Sequence, residues 1–246
     1  MGVSDPGDLM LIYGTTMFLV NVTAAPHTSP WLWSTVGAYD GTYSLAAGMA
    51  TSGAITAWLS ELTGAGYDEL TTAAAGVPVG ADGLLMLPYF AGERTPLFDP
   101  DARGVVAGLT LRHTRGHLYR AALEATAFGV RHNLSAMRDA GGAQTRLVAV
   151  GGGTTSGLWT QIVSDVIGRP QELPAHTVGA AYGDAFLAAL ATGQAVPSDI
   201  ASWNPIATVI EPDPSAGTVY DELYARYREL YGATADIVHD LAARQR

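Results

Sequence analysis

Leu147-Val148-Ala149-Val150-Gly151-Gly152-Gly153-Thr154-Thr155-Ser156-Gly157-Leu158-Trp159-Thr160-Gln161 runs from four apolar residues through three glycines into a helical pattern. The apolar run reads as a buried strand, and the glycines as a turn whose bare backbone a flat ligand can approach closely. Leu158, Ile162, Val166 and Ile167 then recur at helical spacing until Gly168 and Pro170 stop the helix. Strand, glycine turn and helix suit a nucleotide or phosphate site; on its own the same pattern is equally a tight turn.

The 246 residues suffice for one large domain or two small ones, and 48% hydrophobic with 15% charged residues describes an ordinary globular chain. A net charge of -10 argues against nucleic acid, whose partners present basic surface. No apolar run reaches the roughly 20 residues that span a bilayer, because Gly14-Thr15-Thr16 cuts the stretch from Leu9 to Val22. Met1 to Pro6 has neither a basic nor an apolar leader segment, so the expected location is cytoplasmic and away from membranes. Cysteine is absent, and all thirteen basic residues are Arg. Without Lys there is no P-loop lysine, protein-kinase lysine or Schiff-base lysine, so if this chain handles phosphate it does so with backbone amides, hydroxyls and a metal.

Upstream, Leu9–Tyr13 and Phe18–Val22 flank Gly14-Thr15-Thr16-Met17 and read as a hairpin. Its turn offers free amides and two hydroxyls to a polyphosphate, or is simply a turn. Trp31–Ser34 and Tyr43–Ala46 read as further strands. Thr51-Ser52-Gly53 opens a helix with Ile55, Trp58, Leu59 and Leu62 on one face, ending near Gly64, and a second helix covers Tyr67 to Ala75. Leu84 to Phe90 reads as a strand running into Glu93 and Arg94, which either orient a substrate or form a structural ion pair. Gly104–Leu109 is a short turn-bounded segment. From His117 a long helix carries Leu123, Ala127, Val130, Leu134 and Met137 as a core stripe to Gly141-Gly142. His113 and His117, four apart, suggest metal ligands, but no Glu follows His113 and Gly116 is expected to break the helix between them. Gly179–Leu187 opens a small-residue helix in which Asp184 is either solvated or near a ligand. Trp203–Ile210 holds a possible strand. Tyr220, Leu223, Tyr224, Tyr227, Leu230 and Tyr231 form the stripe of a helix docked by its aromatic face. Helices alternating with strands imply an α/β fold around a mixed sheet.

Taken together these segments resemble one family, the FGGY carbohydrate kinases, and within it the xylulokinase-like members. The resemblance rests on Gly104-x-Val106-x-Gly108-Leu109, seven residues, then His117-Leu118-x-x-Ala121-Ala122-Leu123-Glu124. Leu87-Pro88-Tyr89-Phe90-Ala91-Gly92-Glu93-Arg94-Thr95-Pro96, the Gly151–Gly153 turn, Gly179-Ala180-Ala181-Tyr182, and Pro6-Gly7-Asp8 leading to Gly14-Thr15 join it in order. It implies a ribonuclease H-like, actin-like ATPase domain: a mixed sheet flanked by helices, with ATP held between two lobes. Gly14, Thr15 and Thr16 then meet phosphates, Gly53 the phosphates and ribose, and Gly151, Gly152, Gly153 and Ser156 the adenosine, with Gly157 closing over the base. ATP and Mg²⁺ are the implied cofactors, and a sugar, a ketopentose such as xylulose, the acceptor.

In that family an N-terminal lobe supplies the first phosphate loop, most of the sugar pocket, most of the Mg²⁺ contacts and the aspartate base. The expectation is that residues 1–246 are the C-terminal lobe, with 215–244 a docking helix, and that the N-terminal lobe is absent. Asp5 and Asp8 lie in the loop before the first strand and match no catalytic position, so no catalytic residue is expected here. Partners implied are ATP, a sugar reached through a separately encoded N-terminal lobe, or a second copy of the chain. The rival expectation is an interaction protein that keeps the fold without turnover.

Overall fold

The structure is a computed structural model that describes residues 2–177 and 179–245; Met1, Val178 and Arg246 lie outside the described residues. Strands β1 (Asp8–Tyr13) and β2 (Met17–Thr23) are the expected hairpin, and β3 (Trp33–Val36) and β4 (Tyr43–Gly48) extend it. The third strand starts two residues later than its apolar residues suggest, because Trp33 rather than Trp31 pairs with β4, opposite Ala46. Helices α1 (Gly53–Thr63) and α2 (Tyr67–Ala75) follow, then the two-stranded ladder of β5 (Leu85–Leu87) and β6 (Val105–Ala107). The long helix α3 (Arg115–Asp139) leads to β7 (Arg146–Val150), α4 (Gly157–Ile167), β8 (Gln171–Pro174), α5 (Gly179–Ala191), the short α6 (Ile200–Trp203), β9 (Ile206–Ile210) and α7 (Gly217–Ala243).

The main sheet has the order β3-β4-β2-β1-β7-β8-β9. Its centre is the parallel pair of β1 and β7, with Met10 opposite Val148 and Ile12 opposite Val150. β7 and β8 are also parallel, while β1–β2, β2–β4, β3–β4 and β8–β9 are antiparallel, so the sheet is mixed as expected. Alternation along β1 sets the layers: Leu9, Leu11 and Tyr13 are fully buried in the main core beneath α1–α4 and α7. Met10 faces the other way, onto a small apolar cavity shared with Phe186 and Leu187 of α5. Only one face of the sheet therefore carries the large core.

Helix α3 is buried nearly all round because α1, α2, α4 and α7 pack on it in front of the sheet. In α7 the expected stripe is a docked face: Tyr220 and Tyr227 are buried with ring centroids 6.1 and 5.5 Å from Phe128. Tyr89 donates its hydroxyl to that of Tyr227 at 2.8 Å. Around Glu124 the polar groups of that seam are also satisfied. Arg120 Nε donates to Glu124 Oε1 at 2.8 Å, and the Tyr220 hydroxyl and the Gly80 amide donate to the same oxygen, each at 3.0 Å. In α1 the expected face is narrower: Ile55 and Leu59 are buried, while Trp58 and Leu62 are exposed. Its path is set by Gly53 against the hairpin and the left-handed Gly64 cap, which leaves Trp58 to pack on Phe90 at 5.0 Å. Among the described residues no helix is long and apolar enough to cross a membrane.

Candidate nucleotide site

A cleft of about 590 Å³ opens where β1 and β7 end, the position at which open α/β sheets present ligands. Tyr13, Gly14 and Thr15 line it from the hairpin, and Gly53, Ala54, Thr56 and Ala57 from α1. Gly152, Gly153, Thr155, Ser156 and Gly157 come from the glycine turn. Six of the eight expected site residues thus share one cleft. Thr16 and Gly151 do not line it. Thr16 accepts the Gly14 amide through its carbonyl at 3.2 Å, closing the hairpin turn. Gly151 is the pivot of the glycine turn: its φ of 101° is open to glycine, its amide donates to the Thr177 carbonyl at 3.0 Å, and a Cβ there would collide with the Tyr13 backbone.

The hairpin is clamped to α1. Ser52 and Ala54 donate their amides to the Thr15 carbonyl at 3.0 and 3.1 Å, and Gly53 donates to the Gly14 carbonyl at 3.0 Å. The N-terminus of α1 is thus spent on the hairpin, and the Gly53 amide is not free for an anion. Glycine is required there for another reason, since a Cβ would stand 2.7 Å from the Gly14 carbonyl oxygen. With both carbonyls turned toward α1, the amides and hydroxyls of Thr15 and Thr16 have no partner among the described residues. In the glycine turn the amides of Gly152 and Gly153 also have no partner among the described residues, because the turn's first internal bond is Thr154 to the Gly151 carbonyl at 3.1 Å. Ser156 caps α4, its hydroxyl accepting the Trp159 amide at 3.4 Å.

The floor under the turn is rigid. Trp159 meets Tyr13 edge-on at 5.2 Å and donates its indole N–H to Thr126 at 2.9 Å. Tyr13 donates to Gln171 Oε1 at 2.7 Å, and Gln171 donates to the Thr160 carbonyl at 2.8 Å and the Ser164 hydroxyl at 2.9 Å. Burial holds the Tyr13 hydroxyl far above its usual range, so it is a neutral donor here. Sequence reasoning missed Tyr13, Trp159 and Tyr119 as floor and Tyr67, Asp68 and Thr71 of α2 as far wall. Trp159, in register one turn into the helix after the glycines, was the one legible signal; nothing local tells that α2 closes the cleft.

Glu93 and Arg94 form no ion pair. Glu93 is buried, and its Oε1 accepts the Ala50 amide at 2.8 Å and the Arg94 amide at 2.7 Å. Next to it Thr95 accepts the Gly48 amide at 2.8 Å. The loop after β5 thereby fixes the segment that leads into Gly53. Burial pushes the Glu93 carboxyl up to about 7, although both amides pull it back.

His113 and His117 come close, with ring centroids 5.2 Å apart, but not on one helix. Helix α3 starts at Arg115, and Gly116 sits in its first turn rather than breaking it, because a Cβ there would lie 2.8 Å from the Ala73 carbonyl oxygen of α2. Each ring's Nδ1 accepts a backbone amide, from Thr110 at 2.9 Å and Thr114 at 3.1 Å. Nε2 therefore carries the proton, which His117 gives to Asp82 at 3.1 Å, leaving no lone pair for a metal. Among the described residues no group of three His, Asp or Glu could hold a metal ion. A larger cavity, about 980 Å³, lies outside this cleft, lined by Asp5, Tyr39, Arg146 and Asn204 among others. Its cation, Arg146, is already engaged by Glu172 at 2.6 Å and Asp8 at 3.5 Å.

Comparison with known proteins decides the family. Residues 9–192 match the FGGY family of carbohydrate kinases, C-terminal domain. The chain belongs to the FGGY family. A xylulose kinase of Staphylococcus epidermidis is 31% identical over 177 residues, 71% of this chain and 36% of that protein. A glycerol kinase of Citrifermentans bemidjiense is 36% identical over 209 residues, 82% of this chain and 42% of that protein. The crystal structure of xylulose kinase from Rhodospirillum rubrum superposes with a TM-score of 0.89 at 38% identity, covering 97% of this chain and 49% of that one. The chain thus spans less than half the length of these relatives, and the sheet flanked by helices is the FGGY version of the actin-like ATPase, ribonuclease H-like fold.

Proposed function

We propose that this chain is the nucleotide-binding lobe of an FGGY kinase that transfers the γ-phosphate of ATP to a sugar hydroxyl. The observation that carries the reading is that amides with no partner among the described residues meet in one cleft, those of Thr15, Gly152 and Gly153 lining it and that of Thr16 next in the hairpin turn. In this reading Thr15 and Thr16 hold phosphate oxygens through amides and hydroxyls whose orientation is set by the clamp to α1. Gly53 lets the phosphates and ribose pass close to the backbone. Gly152 and Gly153 present a flat surface to adenine, Gly151 pivots the turn, and Ser156 and Gly157 close over the base. The amide donors fit a polyanion, and among the described residues no cation lines the cleft. Mg²⁺, arriving with the nucleotide, would offset phosphate charge during transfer.

The acceptor and its base belong, in this reading, to a second lobe. A positioned base contributes about 10²- to 10⁴-fold and positioning of the reactants roughly 7 to 11 kcal/mol, both of which a lone nucleotide lobe lacks. We assign the acceptor to the ketopentoses, xylulose first, on the xylulose kinase relatives; the glycerol kinase relative makes glycerol the second acceptor to try. The division is residues 1–246 as one lobe with 215–244 its docking helix, working in the cytoplasm. Calorimetry with ATP and Mg²⁺, then sugar-dependent ADP release in the same sample, tests this. The expected result is binding without turnover. Absence of binding would leave an interaction protein that keeps the fold, and turnover would overturn the assignment of the base to another lobe.

A further inference from the structure

Among the described residues Asp68 is the only carboxylate lining the cleft, and neither Arg nor His lines it to balance the charge. It sits in the first turn of α2, lines the same cleft as the glycine turn, and has no hydrogen-bond or ion-pair partner among the described residues. Its neighbour Glu69 differs: pointing away around the helix, it pairs with Arg115. Beside Asp68, Tyr67 leaves an aromatic ring half exposed on the cleft wall. Below, the Tyr119 hydroxyl lies against Thr71 and Thr56. A free carboxylate in a cleft built of anion-binding amides opposes the phosphates unless something there donates to it.

In the nucleotide reading the sugar joins the phosphates at Thr15 to the base at the glycine turn, and it brings two vicinal hydroxyl donors into the cleft that Asp68 also lines. We infer that Asp68 accepts the ribose hydroxyls of the bound nucleotide and makes the cleft selective for ribonucleotides, an inference that rests on the nucleotide reading above. A carboxylate can take both hydroxyls of a diol at once, the same chemistry by which an acidic residue reads ribose in dinucleotide folds. An acidic residue in a helix's first turn also favours the helix dipole, but that role is blind to the sugar.

The test is calorimetry of this chain, with Mg²⁺, against ATP and 2′,3′-dideoxy-ATP, for the natural sequence, Asp68→Asn and Asp68→Ala. The natural chain is expected to prefer ATP by about tenfold, the discrimination available to a hydrogen bond with a charged partner. Asp68→Ala should erase that preference and bind the dideoxy nucleotide at least as tightly as the natural chain does, because the carboxylate no longer opposes the phosphates. Asp68→Asn, which keeps one acceptor, should fall between. Unchanged preference in Asp68→Ala, equal weakening of both nucleotides, or no preference in the natural chain would each overturn the inference while leaving the nucleotide reading intact. Failure of the natural chain to bind either nucleotide would instead bring down the nucleotide reading, and this inference with it.

Discussion

At Thr15 the amide and the hydroxyl do different work, and a substitution can separate them. Thr15→Val keeps the backbone and the bulk but removes the hydroxyl. ATP affinity is expected to fall by about tenfold with the melting temperature unchanged, since one hydrogen bond to a charged oxygen is lost and no buried contact is; equal affinity would remove Thr15 Oγ1 from the site. Gly53→Ala should do the reverse, because its Cβ would stand 2.7 Å from the Gly14 carbonyl oxygen and push the hairpin off α1. A cost of about 1–3 kcal/mol in a denaturant melt and weakened ATP binding are the expected readings. Both residues are legible in the sequence, one as a glycine opening a helix and the other as part of a polar hairpin turn. Their mechanism is not: the sequence pattern suggests an open helix N-terminus at Gly53, whereas the amide is consumed by the Gly14 carbonyl of the distant hairpin. Long-range backbone pairing leaves no local trace.

At the scale of elements, the loop from β5 and the seam of α7 make opposite electrostatic choices. Glu93 is buried with amide donors alone, and its carboxyl is raised from 4.5 to about 7. A raised acid binds its proton more tightly in the folded chain, so its contribution is most favourable below pH 4.5 and is lost as pH rises to about 7. Relative to Glu93→Gln, which has no proton to lose, the natural chain should lose up to about 3 kcal/mol across that window, read from urea melts at several pH values. Parallel pH profiles would place the Glu93 carboxyl in its ordinary range. In the α7 seam, Arg120 and Glu124 are both buried and neutralise each other. Arg120→Leu would strand the Glu124 carboxylate and is expected to cost about 3–5 kcal/mol, while Arg120→Leu with Glu124→Leu should recover most of that in the same melt. Periodicity exposed the helices here, including the aromatic stripe of α7 and the core stripe of α3, because each buries one contiguous face. It misjudged Trp58 and Leu62 and the edge strand β3, where apolar residues sit on surface that α1 and the sheet edge leave open.

For the molecule as a whole, the candidate nucleotide cleft is only as complete as the contact between its two halves. The expectation at this scale is that ATP raises the melting temperature of the chain in a concentration-dependent way while xylulose alone does not; stabilisation by xylulose in the absence of ATP would place an acceptor pocket in this lobe. The mixed sheet and helical layers were readable from alternating patterns, and the cleft's contents from six of eight positions. The far wall on α2 was not readable, since its side chains serve the site only through tertiary placement. The central pair of the sheet sets Asp8 beside Arg146 and Ile12 beside Val150, so the start of the chain must wait for its second half before the middle of the sheet can close. Closing so long a loop is slow, and the cleft straddles that very junction. A ligand that binds only the closed junction should therefore lengthen the lifetime of the folded chain.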